Sequence, residues 1–349
     1  MSNSYYLPAE WAKQDATLLT WPHQETDWAD KLPKIESIYR QLVTIISQFQ
    51  RVVIVCHTPL LQQHVISQLT EIGEDITNII FVIAASNDTW ARDHGPITLI
   101  NDQQAIRVLN FTFNGWGNKY NSDLDNQINH AILEQLAITE YQHLDFVLEG
   151  GAIESDGQGC LLTTKTCLLN QNRNPHLSQK EIEAYLLKRF QLKKILWLEQ
   201  GSLVGDDTDA HIDTLARFAP NNQIIFQGCQ DKNDPHYPVL KAMKRQLQGV
   251  TNSLEQPYQL VELPLPSAQY NFDNERLPAT YANFLIINNA VLVPTYQVPE
   301  DDIALNRFAK AFPKHQIIAI NCQPIIEQFG SLHCLTMQLP QGFLGTIKD

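Results

Sequence analysis

Apolar residues recur along the chain with two periods. In Ile35, Ile38, Tyr39, Leu42, Ile45, Ile46 and Phe49 the spacing is that of one helical face. Ser178 followed by Glu181 has the form of a capping box, and Ile182, Tyr185, Leu186 and Phe190 continue the apolar face behind it. The same pattern predicts helices over 59–71, 124–136, 236–247 and 302–312. Between them lie short β-rich runs bounded by Gly, Pro, Asn and Asp. They predict strands over 51–57, 78–84, 105–112, 159–169, 193–198, 223–228, 258–265, 283–295 and 316–321.

These elements describe an α/β chain in which strands come in pairs as often as singly. A doubly wound sheet would show a stricter strand-helix alternation. Repeated strand-strand-helix units predict a radial arrangement, although no residue-level repeat is visible. The chain has no Gly/Ser-rich linker, low-complexity tract or block of like charge. The polar stretch 228–238 is too short to mark a boundary, so one domain is expected over 1–349. Neither a G-x-G-x-x-G following a strand nor a G-x-x-x-x-G-K-[ST] occurs, so nucleotide binding has no support.

Composition narrows the function classes. Of the 349 residues, 44% are apolar and 18% charged, as in a folded globular protein. With 25 basic against 38 acidic residues the net charge is -13, which disfavours nucleic acid as a partner. A negative field suits a cationic substrate, though acidity for solubility alone is common. No apolar run approaches the ~18 residues of a transmembrane helix. Residues 1–10 are neither basic nor apolar, unlike a signal peptide, so no membrane partner and a cytoplasmic location are expected. The six cysteines include no C-x-x-C pair, and Cys160 and Cys167 match no common zinc spacing.

Four segments are dense in polar and aromatic residues beside apolar runs. They are 87–96, Glu149-Gly150-Gly151, 206–213, and Gly330-Ser331-Leu332-His333-Cys334. Cys334 is a candidate nucleophile, reactive as its thiolate. His211 is a candidate general acid and base. In His211-Ile212-Asp213 the imidazole and carboxylate would face the same side of an extended segment. Asp93 supplies a second carboxylate from another loop. Two carboxylates facing one planar guanidinium can each accept paired hydrogen bonds and so present its carbon to sulfur.

Each element alone has an ordinary reading. Cys334 could be a small buried apolar residue. The 206–213 stretch could be a solvated acidic turn or a capped helix start. Its one histidine and four aspartates could also hold a hard divalent cation, but the chain has no second compact His/Asp cluster. Arg92 reads as structural, since it would repel a cationic substrate. Trp11, Trp21 and Trp28 read as packing residues, Trp116 as channel wall or core, and the other five cysteines as buried.

Taken together, the segments resemble the agmatine deiminases and the related bacterial peptidylarginine deiminases, of the guanidine-modifying or pentein superfamily. The resemblance also rests on Pro8-Ala9-Glu10-Trp11, Thr20-Trp21-Pro22-His23 and Asn114-Gly115-Trp116-Gly117, and spans most of the chain. It implies a five-bladed α/β propeller of ββαβ modules and a mechanism that needs no metal or cofactor. It further implies that Cys334 attacks the guanidinium carbon while Asp93 and Asp213 hold the nitrogens. His211 would protonate the departing ammonia and then activate water. Glu149 would orient His211 or the substrate, and Trp90 and Asp207 would line the channel. The expected partner is a small cationic guanidinium compound, agmatine first, and a homodimer is compatible with the resemblance. Arginine or peptidyl-arginine is the alternative substrate, and a non-catalytic propeller-shaped binding protein the alternative class. Two departures stand out: Ala210 where agmatine deiminases often have glycine, and Gly330-Ser331-Leu332 where a run of glycines is more usual.

Overall fold

The computed structural model describes residues 4–345; residues 1–3 and 346–349, the ends of the expected 1–349 span, lie outside the described residues. Among the described residues, sixteen strands form five sheets. In chain order they are β1 (Gln14–Thr20), β2 (Arg51–Cys56) and β3 (Ile79–Ile83); β4 (Ile97–Ile100), β5 (Ile106–Thr112) and β6 (Tyr141–Val147); β7 (Ile153–Ser155), β8 (Cys160–Thr164) and β9 (Lys194–Leu198); β10 (Ala216–Ala219), β11 (Gln223–Gln227) and β12 (Gln259–Leu263); β13 (Leu285–Ile287), β14 (Ala290–Thr295) and β15 (Gln316–Asn321); and last β16 (Thr336–Pro340).

Four sheets share one plan. An antiparallel pair (β4–β5, β7–β8, β10–β11, β13–β14) is followed by a third strand parallel to the second. A parallel neighbour demands a crossover, usually a helix. The helices Asp125–Gln135, Gln179–Phe190, Tyr237–Leu247 and Glu300–Ala311 supply it. The remaining sheet takes its antiparallel partner from the far end of the chain. There β16 pairs with β1, β1 runs parallel to β2, and β2 to β3. The result is the five-bladed α/β propeller that the sequence resemblance implies, with the ring closed where the two ends of the fold meet.

Local chemistry accounts for the elements. The Ser178 capping box forms as expected: its backbone N–H donates to Glu181 Oε2 at 2.8 Å while its Oγ accepts from the Glu181 N–H at 3.4 Å. Helix Leu32–Ile46 buries Ile35, Ile38, Tyr39, Leu42 and Ile46 of the predicted stripe and also Val43, while Ile45 is only partly buried and Phe49 lies beyond the helix end. Trp21 and Trp28 are fully buried packing residues. The six cysteines are all free and buried.

Two predicted strands are not single strands. The 159–169 run stops at Thr164, whose Oγ1 accepts from Cys167 N–H at 3.2 Å and caps the short helix Lys165–Leu168. The 283–295 run folds into two strands at Asn288 and Asn289, the latter at φ 61°. The strands absent from the prediction include β7 and β10, which are short and buried at every position. They carry no alternation to read.

The connections from sheet to sheet position the site. Four contain a buried helical turn: Ala91–His94, Gly150–Ala152, Ile212–Thr214 and His333–Leu335. The first three of these precede β4, β7 and β10, and the fourth precedes β16. No helix among the described residues is long and apolar enough to cross a membrane.

Ring closure is testable. Leu18 is fully buried on β1 and lies in register with Met337 of β16. Leu18→Ala is expected to cost about 2–5 kcal/mol of unfolding free energy, measured as a shift of the urea midpoint with an unchanged slope.

Candidate active site

The four buried turns bring Asp93, Gly151, His211, Asp213 and Cys334 together from separate regions of sequence. Asp93 Oδ1 lies 3.6 Å from His211 Nδ1. It also accepts the Gly151 N–H at 2.9 Å, while Asp93 Oδ2 accepts Trp116 Nε1–H at 2.8 Å. Cys334 Sγ lies 3.9 Å from Asp213 Oδ2 and 3.5 Å from Asn283 Oδ1. The His211–Asp213 segment is not extended, as its alternation suggested. His211 caps the 3-10 turn Ile212–Thr214, where side chains three apart, not two, eclipse. Both side chains nonetheless reach the same centre, because a Cβ on Gly151 would lie 2.6 Å from His211 Nδ1, 2.7 Å from Asp93 Oδ1 and 3.2 Å from Asp213 Oδ2. The second glycine of Glu149-Gly150-Gly151 is thus where backbone must pass between the reacting groups.

His211 and Asp213 are fully buried, and His211 Nδ1, His211 Nε2 and Asp213 Oδ1 have no hydrogen-bond partner among the described residues. Unpaired buried polar atoms are costly and uncommon, and three converging ones mark a place built to face a ligand. Burial pushes the Asp93 carboxyl up to about 6, with Asp213 adding to the rise and His211 opposing it. Burial opposes protonation of His211, but Asp93, Cys167 and Glu149 together outweigh it and lift the imidazole well above its usual value. Burial, then Asp213 and Asp93, lift the Cys334 thiol well above its usual value too. In the free site Cys334 is a thiol at neutral pH.

A cavity of about 180 Å³ opens above Cys334. Its walls include Asp27, Asp88, Asp93 and Asp207, with Trp90, Trp116, Tyr120 and Phe329 between them; no Lys or Arg is among its lining residues. Trp90 and Asp207 therefore stand where the sequence placed a channel. Trp90 Nε1–H donates to Asp88 Oδ2 at 3.0 Å, and Tyr120 O–H to Asp207 Oδ2 at 2.7 Å. Burial, then Asp27, push the Asp88 carboxyl up to about 7. Trp116 sits between Gly115 and Gly117 in a left-handed turn with φ of 65°, 56° and 84° at the three residues. Glycine adopts that conformation freely, which explains Asn-Gly-Trp-Gly as a device for swinging one indole N–H onto Asp93. Gly330 is set by contact: a Cβ there would meet the Trp90 ring at 2.1 Å.

Glu149 lies one step behind. Both its oxygens take the Arg173 Nε–H, at 2.9 and 3.0 Å, and the pair is fully buried. Glu149 has an oxygen within 4.8 Å of both His211 and Cys167, but no hydrogen bond to His211. Arg173 also pairs with Asp209 at 2.8 Å and so ties the Glu149 turn to the 206–213 loop. In that loop Asp209 and Ala210 have φ of 66° and 63°. The alanine at 210 occupies a left-handed position, which is why glycine is natural there. His94 turns away, with Nε2 3.2 Å from Thr20 Oγ1.

Several residues of the centre carried no readable signal. Asn283 accepts the backbone N–H of His333 at 2.8 Å and of Cys334 at 3.4 Å, and its Nδ2–H donates to the Asp213 carbonyl at 3.3 Å. Arg173, Arg217 and Glu154 were likewise not singled out. His333 and Glu10 lay inside recognised motifs without a role. Arg92 is buried 3.8 Å from Glu10, a structural placement as read. Among the described residues, two trios have donor atoms close enough for a metal: Glu149, Cys167 and His211, and Glu10, Glu154 and His333. In the first, Arg173 holds both Glu149 oxygens; in the second, Arg217 joins both carboxylates. Each guanidinium already pairs with the carboxylates that a metal would use.

The profile of the family described as Porphyromonas-type peptidyl-arginine deiminase matches residues 6–340. The agmatine deiminase of Stutzerimonas stutzeri (strain A1501) is 32% identical, aligned over 98% of this chain and 97% of the relative. The structure of a substrate-bound agmatine deiminase of C. jejuni matches at TM-score 0.88 and 40% identity, covering 96% of both chains. That of the Enterococcus faecalis agmatine deiminase matches at TM-score 0.88 and 29% identity, again over 96% of each. The chain belongs to the Porphyromonas-type peptidyl-arginine deiminase family, and its fold is the pentein fold.

Two outcomes test the site. Gly151→Ala is expected to lower turnover about 100-fold or more by displacing His211 and Asp93, with a thermal midpoint moved by only a few degrees. Asp88, at about 7 in the folded chain, binds its proton more tightly folded than unfolded. Its contribution to stability is therefore full below about pH 4 and is lost as pH rises toward 7. Asp88→Asn is expected to flatten that decline, leaving the variant relatively more stable than the parent at pH 8 than at pH 4 in thermal melts.

Proposed function

We propose that this family member hydrolyses the guanidinium group of agmatine, giving N-carbamoylputrescine and ammonia. The observation that carries the reading is the cavity above Cys334, walled by four aspartates and by aromatic rings with no basic side chain among its lining residues. Agmatine is cationic at both ends. Its guanidinium suits Asp93 and Asp213, and its amine suits Asp27, Asp88 and Asp207. Free arginine would bring a carboxylate against those same aspartates, which is repulsive in a partly desolvated cavity.

The chemistry follows from the groups present. A guanidinium is a delocalised cation, so neutral water attacks it slowly; a covalent route divides the barrier. Entry of the substrate cation between Asp93 and Asp213 offsets the negative charge that keeps Cys334 protonated. Cys334 gives its proton to solvent in the cavity, and Sγ adds to the guanidinium carbon. His211, protonated beside Asp93, gives a proton to one nitrogen, and the C–N bond breaks to release ammonia. The S-alkylthiouronium that remains is attacked by water, His211 now taking the proton. Collapse expels the Cys334 thiolate and leaves the ureido product. Glu149 acts from behind through the Arg173 clamp, which holds the loop carrying His211. Trp90 and Asp207 shape the channel.

In this reading the whole 1–349 span is one catalytic domain, and the product feeds putrescine and polyamine biosynthesis. The reading places the enzyme in the cytoplasm; six unpaired cysteines support a reducing compartment. A homodimer is the proposed assembly, and neither nucleic acid nor a membrane is a proposed partner.

The test is turnover of agmatine, arginine and a blocked arginine peptide in excess EDTA, followed as ureido product and ammonia, with Cys334→Ala alongside. Turnover of agmatine alone, abolished by the substitution, is expected. Preference for arginine or peptide would overturn the substrate, and no turnover of any of the three would return the chain to a binding role.

A further inference from the structure

We propose that Glu10 and His333 form a positioning pair that fixes Asp213 and keeps a positive charge beside Cys334. His333 precedes the nucleophile, and Glu10 belongs to the Pro8-Ala9-Glu10-Trp11 motif; the reaction steps derived above employ neither. The inference rests on the hydrolase reading for its catalytic meaning but not for its physical content.

His333 Nδ1 lies 2.8 Å from Asp213 Oδ2, and Nε2 lies 2.7 Å from Glu10 Oε2. All three side chains are buried. Ionised carboxylates only accept hydrogen bonds, so both ring nitrogens donate and the ring is an imidazolium. The groups facing it fit that charge. Glu10 also pairs with Arg217, which pairs in turn with Glu154, and Arg92 stands 3.8 Å from Glu10. With His333 cationic, three carboxylates (Glu10, Glu154, Asp213) and three cations (Arg217, Arg92, His333) balance in one buried cluster. Without that charge the cluster holds one more carboxylate than cation, and only a proton on Glu154, whose carboxyl burial raises, could make up the difference.

The pair has a directional consequence at Asp213. Its Oδ2 is engaged by His333, which leaves Oδ1 as the buried, unpartnered oxygen available to a guanidinium. That same Oδ2 is the oxygen 3.9 Å from Cys334 Sγ. A strong donor on Oδ2 competes with the thiol for it, and a cation there eases loss of the thiol proton. Burial alone would raise the Asp213 carboxyl; the hydrogen bond and charge of His333 bring it below the usual range instead. Glu10 is held by three groups, since Oε1 also accepts the Ile286 N–H at 2.7 Å. It can therefore stop the His333 ring from turning over and releasing Asp213.

The experiment follows iodoacetamide alkylation of the peptide containing Cys334 by mass spectrometry as a function of pH. This readout does not depend on substrate identity. Glu10→Gln keeps the shape but removes the charge. His333→Asn keeps one donor toward Asp213 and loses the link to Glu10. Both are checked for an intact thermal midpoint and spectrum. The alkylation profile is expected to move up by about one pH unit or more in Glu10→Gln. The acid limb of kcat for agmatine should move with it, so that turnover recovers in part at alkaline pH. His333→Asn should retain KM better than His333→Ala while showing the same upward shift. An unchanged alkylation profile, in whichever of these variants stays folded, overturns the inference. A shifted profile in a protein whose parent turns over no guanidine would leave the pair standing and defeat the hydrolase reading.

Discussion

Carboxylates deprived of water organise the centre of this molecule. Asp93, Asp213, Glu149, Glu10 and Glu154 are each almost wholly buried. An unpaired buried charge is among the costliest things a fold can hold. Three of the five pair with a guanidinium, Glu149 with Arg173 and both Glu10 and Glu154 with Arg217, while Asp213 and Asp93 each face a histidine, His333 and His211. Asp93 is the one of the five whose basic partner stands off without a hydrogen bond. It has two N–H donors and a histidine 3.6 Å away but no guanidinium or ammonium, and its carboxyl is raised to about 6. This carboxylate, held least closely by its own partner, lines the cavity, where a substrate cation can add to it.

The propeller is what allows carboxylates from so many parts of the chain to meet. Each ββαβ unit ends with a parallel strand, and the chain must then pass from one sheet to the next near the axis. Those passages carry Asp93, Gly151, His211, Asp213, Asn283 and Cys334. Pairing of β16 with β1 fixes Cys334, two residues before β16, against turns that come more than a hundred residues earlier. Stability of the ring and geometry of the site are thus one problem, because a loosened closure would first displace the nucleophile.

Some residues that meet at the centre, though not Asn283, were legible in sequence because chemistry limits their identity. Only cysteine supplies the thiolate, and Gly151 tolerates no Cβ, so these survive as short motifs. Helices were legible where amphipathic periods were long, as in Leu32–Ile46, and where a capping box marked the start, as at Ser178. The paired strands pointed to radial repetition. What escaped was set by tertiary pairing alone. Arg217 lies on β10, buried at each position, and reads like any strand residue until Glu10 and Glu154 are seen around it. Asn283 precedes a hairpin and bonds two turns that are distant in sequence. The extended reading of His211-Ile212-Asp213 failed because spacing specifies a period only when the secondary structure is known.

The same burial bears on which ligand charges the proposed reaction would favour. Asp88 and Asp93 hold their protons more tightly than exposed carboxylates do, with values near 7 and 6. At neutral pH part of the folding free energy is therefore spent holding charge apart from water. A substrate cation relieves that strain at two places at once if its charges are spaced to reach both Asp93 and the outer aspartates. A substrate with one positive end relieves it at one place only, and one carrying an anion at its far end aggravates it. Selectivity for a dication thus needs no dedicated recognition element beyond the carboxylates themselves. The aromatic rings between them exclude water, which strengthens each of those interactions by lowering the local dielectric.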